Sequence, residues 1–491
     1  MSKFKDVRAL AEKALFIENE PMEAPKKEHF LSEYFEEINE KKQHFLGYQT
    51  NQDVSFPKEL DRFLKMNLLN IGDGFEEGTY KLNSKIFERA VIHYYARLWG
   101  LIDDKAEEDA GYWGYLTPMG STEGNLCALW YAREYLLGHP VDKAGYKIDA
   151  GVDRKHQQPL AFFTASSHYS LLKSCNMLQI SQFSEIGPQL GECPINDGLW
   201  PKYVPSNADG SVHVESLATL VRFFVKHDYP IILCFNYGTT FSGAFDDVGE
   251  AINQLSDVLG SQCRHNRRYW IHVDGALAAN YMPYIEKGLQ QGEFAQQALP
   301  SFDFSNEQVM SICSSPYKWI GSPWAFGVFL MRSDYQMDDS VRPHYVGNRD
   351  STVAGSRNGL SAVFLWEALT RLGDSGLIAM AKHNETLAQY AYERLSELAQ
   401  TSTFDQHSLL LQPRIPFSNM LLFRAPNADI MHRFTLCSDV HEIDGKQCNL
   451  THLVMLGHVT QDSIDALMNQ LFAPSAFDFD DANQPPQDFT C

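Results

Sequence analysis

From residue 83 onward, short apolar runs of strand length alternate with segments whose apolar positions recur at helical spacing. Leu160-Ala-Phe-Phe-Thr164, Ile231-Ile-Leu-Cys-Phe-Asn236, Tyr269-Trp-Ile-His-Val-Asp274 and Val309-Met-Ser-Ile-Cys313 are nearly unbroken in apolar residues. That is the pattern of strands covered on both faces, not on one. Between them fall helical segments at Asn83 to Trp99, from Leu126 with Leu129, Trp130, Leu136 and Leu137 on one face, at Leu171 to Ile180, Ser216 to Lys226 and Val248 to Leu259. The alternation predicts an α/β unit on a central, mostly parallel sheet with helices on both faces.

The pattern changes after Leu360. Helices at Ser361 to Leu372, Ala379 to Leu398 and Gln461 to Leu471, with strands near Ser418 to Phe423 and His452 to Leu456, predict a smaller C-terminal α+β domain. Another helix is expected near Pro57 to Leu69. Residues 1–45 read as amphipathic helix, with Val7, Leu10, Ala11, Ala14 and Leu15 at helical spacing, packing on the main domain or on a second subunit. Ser184 to Asp209, rich in Gly, Pro, Asn and Asp, reads as an irregular surface insertion, and the tail from Ala473 as disordered. The expected division is 1–82 as an N-terminal helical arm, 83–359 as the large α/β domain, 360–472 as the small domain and 473–491 as tail.

Composition narrows the partners. The 491 residues are 44% hydrophobic, enough for a large core, and carry a net charge of −21 with no basic stripe, which disfavours a nucleic-acid partner. The first residues are charged and lead into no long apolar run, so neither a signal peptide nor a membrane span is expected and the location is expected to be cytoplasmic. Nine cysteines without CxxC spacing or nearby histidine pairs predict reduced thiols and no metal site.

Several polar residues interrupt the apolar pattern where a parallel sheet presents ligands, at the carboxyl ends of its strands. Lys318 follows an apolar strand in Gln308-Val-Met-Ser-Ile-Cys-Ser-Ser-Pro-Tyr-Lys318-Trp-Ile-Gly321. Desolvation there favours the neutral amine, which is the form that attacks an aldehyde, although a surface lysine at a loop tip shares this pattern. Asp274 ends an apolar strand and needs a cation or proton donor, or it caps the next helix. Gly120-Ser-Thr-Glu-Gly-Asn125 opens a helix, with Ser121 or Thr122 at the N-cap; it suits an anion or is a plain capped start. His168 and the pair Thr239 and Thr240 lie at further strand ends. Pyridoxal phosphate needs an amine for its aldehyde, a carboxylate for its pyridine nitrogen, an anion site and flat contacts on each ring face, and these residues offer a candidate for each.

The ordered motifs Gly120-Ser-Thr-Glu-Gly-Asn125, Ser167-His-Tyr-Ser170, Gly238-Thr-Thr240, His272-Val-Asp-Gly-Ala276, Ser315-Pro-Tyr-Lys-Trp-Ile-Gly321 and Gly355-Ser-Arg-Asn-Gly359 resemble those of the pyridoxal-phosphate-dependent group II amino-acid decarboxylases, in the histidine and serine decarboxylase-like branch. The resemblance runs from Gly47 to about Leu471. It implies the aspartate-aminotransferase-like fold type I and a homodimer with the active site at its interface. It further implies that Lys318 forms the Schiff base, Asp274 pairs with the pyridine nitrogen, His168 stacks on one ring face and Ala276 lies against the other. Gly120, Ser121 and Thr122 would hold the phosphate with help from Ser315, and Thr240 would lie near the ring substituents or the substrate carboxylate. Tyr345 would protonate Cα, and Ser356 would approach the substrate side chain from the other subunit. The implied reaction is decarboxylation of an L-amino acid, histidine to histamine first, with methionine, valine, leucine, serine or an aromatic residue as alternatives. An aminotransferase or lyase on the same fold, or a non-catalytic regulatory homologue, are the competing readings. The chain departs from the family pattern at Tyr317, where most relatives carry histidine, and in a longer spacing between His168 and Asp274.

Overall fold

Seven strands form the central sheet of the computed structural model: β2 (Tyr112–Thr117), β3 (Leu160–Phe162), β4 (Ser181–Gln182), β5 (Ile231–Asn236), β6 (Tyr269–Asp274), β7 (Val309–Ser314) and β8 (Gly327–Arg332), after a short outlying β1 (Leu69–Ile71). Their order is β2-β8-β7-β6-β5-β3-β4. The strands from β4 to β7 are parallel, and β8 runs antiparallel to both its neighbours. The α/β architecture expected from the apolar runs is therefore the one observed, and every residue of β2, β5, β6 and β7 is buried, as strands covered on both faces must be. The residues described are 17, 19–103, 111–138, 158–260, 267–337, 342–401, 409–443, 445–473 and 475–477. Among them, no helix is long and apolar enough to cross a membrane.

The C-terminal sheet is antiparallel, with β12 (Lys446–Val454) between β10 (Met420–Arg424) and β11 (Ser438–Ile443). It packs with the helix Gln461–Leu471 around Leu421, Phe423, Leu453 and Leu467. The two helices expected after residue 360 form one element, Gly359–Ala399, broken at Gly373 where φ is 55°; a positive φ costs least at glycine. Its first half adds Ala362 to Ala381 to the main core and its second half adds Leu387 to Ala399 to the smaller one. The change of core thus comes later in the chain than the change of sequence pattern.

Several local expectations are corrected. The segment expected as a helix at 57–69 is a 3-10 stretch, Lys58–Lys65, followed by β1, which pairs with β9 (Ser356–Asn358). The 184–209 insertion begins as a helix, Phe183–Leu190, opened by a capping box of Gln182 and Glu185, and Gly187 within it seats the Trp200 ring, which a Cβ would meet at 2.5 Å. Ala476 and Phe477, in the tail expected to be disordered, are buried against the small core; residues from 478 on lie outside the described residues. The helix expected from Val7 to Leu15 lies outside them too, while Ala24–Lys42 is helical and buries no residue.

One buried ion pair fixes the outlying ribbon against the core. Arg357 on β9 donates from Nη2 to Glu88 Oε2 at 2.8 Å, both side chains being 2% exposed. Glu88 also accepts from Leu116 N and Asn70 Nδ2. Replacing Glu88 by alanine strands a buried guanidinium, and is expected to lower the unfolding free energy by about 3–5 kcal/mol in denaturant titration of the whole chain.

Candidate active site

The register of the parallel strands places Asn236 beside Asp274 and Asp274 beside Cys313, so three strands end side by side. The chain leaves β7 through Ser315 and Pro316 into one helical turn, Tyr317–Ile320, which carries Lys318. Gly321 then turns it away with φ at 83°, where a Cβ would meet Asp53 O at 2.6 Å. The result is a cavity of about 140 Å³ over the strand ends, lined by His168, Asp274, Ala276, Ser315 and Lys318 together with Ser121, Thr122 and Thr240.

Asp274 is 5% exposed, and its carboxylate accepts from Asn125 Nδ2 at 2.7 Å and from Ala276 N at 3.1 Å. Two N–H donors aimed at the carboxylate offset its loss of water. Lys318 donates from Nζ to Gln49 Oε1 at 3.1 Å, and Gln49 Nε2 donates to Thr240 O at 2.7 Å. Burial pulls the Lys318 amine below the ordinary lysine range, with Asp274 acting in the opposite direction. His168 precedes the helix Tyr169–Leu178 and accepts from Ser170 N at Nδ1. Burial lowers its pKa as well, against the pull of Asp274, so the ring is neutral near pH 7.

The anion site differs in detail from the expectation. Gly120, not Ser121 or Thr122, is the N-cap of the helix Ser121–Leu136, so the cap residue has no side chain of its own to occupy the helix start. Gly120 has φ at 63°, and a Cβ would come to 3.0 Å from Ser315 Oγ and 3.2 Å from the Tyr317 ring. The Ser121 hydroxyl is thereby free of capping duty; it lies 2.8 Å from Ser315 Oγ, which also accepts from Ser121 N at 2.9 Å. Hydroxyls and a glycine-capped helix start, with the positive end of the dipole behind them, suit a phosphate.

Tyr345 and Ser356 stand apart. Tyr345 is 84% exposed, Ser356 is exposed on β9, and neither lines the cavity. Sequence reasoning missed Gln49 and Asn125. Gln49 sits in a turn-rich stretch with no periodic signal. Asn125 could have been found, since it is a wholly buried polar residue in a helix whose neighbours Cys127, Ala128 and Leu129 are core.

A buried amine, a hydrogen-bonded carboxylate and a glycine-capped helix start on one cavity fit pyridoxal phosphate. The conserved domain of pyridoxal-dependent decarboxylases matches residues 84–409. The chain is 28% identical over 442 residues to histidine decarboxylase of Solanum lycopersicum, covering 90% of this chain and 87% of that one. It is 27% identical over 457 residues to serine decarboxylase 1 of Oryza sativa subsp. japonica, covering 93% and 78%. The solved structure of L-methionine decarboxylase from Streptomyces sp. 590 superposes with a TM-score of 0.83 at 31% identity, over 94% of this chain and 98% of that one. The chain belongs to the pyridoxal-dependent decarboxylase family and is an amino-acid decarboxylase that uses pyridoxal phosphate.

Proposed function

We propose that the substrate is an L-amino acid with an uncharged side chain, histidine first, decarboxylated at the cavity that holds Lys318 and Asp274. The observation that carries this reading is the convergence of amine, carboxylate and glycine-capped helix start on that one cavity. Apart from Asp274 and Lys318, no carboxylate, lysine or arginine lines it among the described residues, so an acidic or strongly basic side chain finds no partner of opposite charge there. Histidine is favoured by likeness to plant and bacterial histidine decarboxylases. Methionine is the second reading, favoured by the structural match to the methionine enzyme. Carbon dioxide release measured for each standard L-amino acid tests the proposal: kcat/KM should be highest for histidine. A preference for glutamate or lysine would overturn it, and a preference for methionine would replace the first reading by the second.

When bound, pyridoxal phosphate supplies an aldehyde for an amine and a ring that takes up the electron pair left as the Cα–carboxylate bond breaks. The chain's residues do the rest. Ser121, Thr122 and Ser315 would hold the phosphate, with Gly120 giving the backbone its approach. Lys318, its ammonium disfavoured by burial and its position set by Gln49, would be the amine for the aldehyde. Asp274, accepting from Asn125 and Ala276, would be the partner for the pyridine nitrogen. His168 and Ala276 would cover the two ring faces, and Thr240 would lie beside the substrate carboxylate.

The proton for Cα comes from Tyr345, which we assign to the partner's cavity in a homodimer, together with Ser356 on the substrate side. Both are exposed and outside the cavity of their own chain, which supports that assignment. Tyr345→Phe is expected to keep cofactor binding while lowering amine output about 10²- to 10⁴-fold and releasing a transamination by-product. Mixing Y345F chains with K318A chains should restore activity, since one cavity of the mixed dimer is complete. Normal amine output from Y345F, or a mixture as dead as its parts, would remove Tyr345 from this role.

A further inference from the structure

All four hydrogen-bonding positions of the Asn125 side chain are taken. Its Nδ2 donates to Asp274 Oδ2 at 2.7 Å and to Ser170 Oγ at 2.8 Å. Its Oδ1 lies 2.8 Å from His272 Nε2 and accepts from Cys313 Sγ at 3.2 Å. The residue is 0% exposed, as is His272. The carboxylate can only accept when ionised, so the amide nitrogen must face it and the amide orientation is fixed. His272 must then carry its proton on Nε2. Burial lowers the pKa of His272 to about 4, so the ring is neutral near pH 7; with its one proton on Nε2, Nδ1 accepts from Ser311 Oγ at 2.9 Å, the nearer of its two Ser311 contacts, the carbonyl O lying at 3.2 Å. Ser311 Oγ in turn accepts from Trp270 Nε1 at 3.0 Å.

The same logic runs outward. The Ser170 backbone N–H donates to His168 Nδ1 at 3.3 Å, which makes Nδ1 an acceptor, so the Ser170 hydroxyl, itself accepting from Asn125, donates its proton to Nδ1 2.7 Å away. A neutral His168 therefore carries its proton on Nε2.

We propose that Asn125 is the positioning residue that sets two groups at once: it holds Asp274 as an acceptor and, through Ser170, holds His168 in the Nε2–H form. The donors run one way from Trp270 through Ser311, His272 and Asn125, and branch at Asn125 to Asp274 and to Ser170. This rests on the roles given above to Asp274 and His168. It adds that the acid partner and the stacking ring are not independent, because one buried amide orients both. His168 then presents an N–H to whatever lies above it and cannot act there as a base.

The branch is the testable feature. Asn125→Leu removes both arms at nearly constant volume. It is expected to weaken pyridoxal phosphate binding to the cofactor-free protein about 10- to 100-fold, the scale of a lost hydrogen bond to a charged group. It should also shift the visible band of the bound cofactor and lower kcat more than it raises KM. Ser170→Ala cuts only the arm to His168. It is expected to lower kcat about 10-fold while leaving the cofactor dissociation constant and the visible band unchanged. Should N125L fail to fold, S170A decides alone: lowered kcat with an unshifted band supports the branch, and wild-type kcat overturns it. N125L with wild-type affinity and spectrum overturns the proposal, as does S170A weakening cofactor binding as much as N125L. Asp274→Asn separates the two levels. If D274N matters and N125L does not, only the positioning role falls. If D274N is itself silent, the reading of the site falls with it.

Discussion

Replacing Lys318 by alanine is expected to lower kcat by at least about 10⁴-fold, the upper range for a positioned proton-transfer group, and to remove the cofactor's visible band from the purified protein. The reason is positional. Lys318 supplies the amine at the end of β7, on a single helical turn that Gly321 ends. No other lysine or arginine among the described residues lines the cavity. The loss should not come from unfolding. Lys318 is a base whose folded-state pKa lies below its ordinary value, so the unfolded chain binds more protons and wild-type stability rises with pH toward the unfolded value. Below the folded pKa the wild type carries the full cost of a buried ammonium, which the alanine variant lacks. Cofactor-free K318A should therefore compare best with the wild type near neutral pH and lose ground as pH climbs toward the ordinary lysine range. Melting curves across that window check the sign; the opposite trend would show that Gln49 holds the amine charged.

The second large effect is expected at Asp274. Asp274→Asn keeps the shape but removes the charge, and the side chain loses an acceptor where both Asn125 and Ala276 donate. The expected cost is about 10²-fold or more in kcat, with cofactor affinity weakened about 10- to 100-fold. Asp274→Ala is expected to be worse, since it leaves the Asn125 and Ala276 N–H groups without an acceptor in a buried site. A longer carboxylate is not expected to substitute, because one more methylene carries the oxygens away from the Asn125 and Ala276 donors. Steady-state kinetics together with titration of the cofactor-free protein separate the two losses. An unchanged dissociation constant in D274N would place the pyridine nitrogen elsewhere.

What could be read in the sequence was whatever depends on local pattern. The strands Ile231–Asn236 and Tyr269–Asp274 and the helix Gln461–Leu471 appear where their apolar periodicity puts them, because both faces of the strands and one face of the helix are buried. Lys318, Asp274 and His168 were legible as polar residues ending apolar runs. What depends on distant packing was not. Glycine suits the N-cap at 120 because φ is positive there and Ser315 and Tyr317, nearly two hundred residues away, crowd the position a Cβ would take. Gln49 belongs to the site through Thr240, across 191 residues, and its own neighbourhood carries no trace of that contact. β11 went unseen because its half-buried positions Asp439 and His441 are polar while apolar Val440 faces solvent, so no apolar alternation marks the strand. Tyr345 and Ser356 were named from motif position alone, and a single chain leaves them at the surface.

The central claim is a covalent attachment at one lysine, poised against one acid. Borohydride reduction of the holoenzyme followed by peptide mass spectrometry tests it most directly. A single reduced pyridoxyl adduct is expected on the peptide carrying Ser315-Pro-Tyr-Lys318, absent from K318A. An adduct on a different lysine, or none on a preparation that releases carbon dioxide from its amino acid, would contradict it.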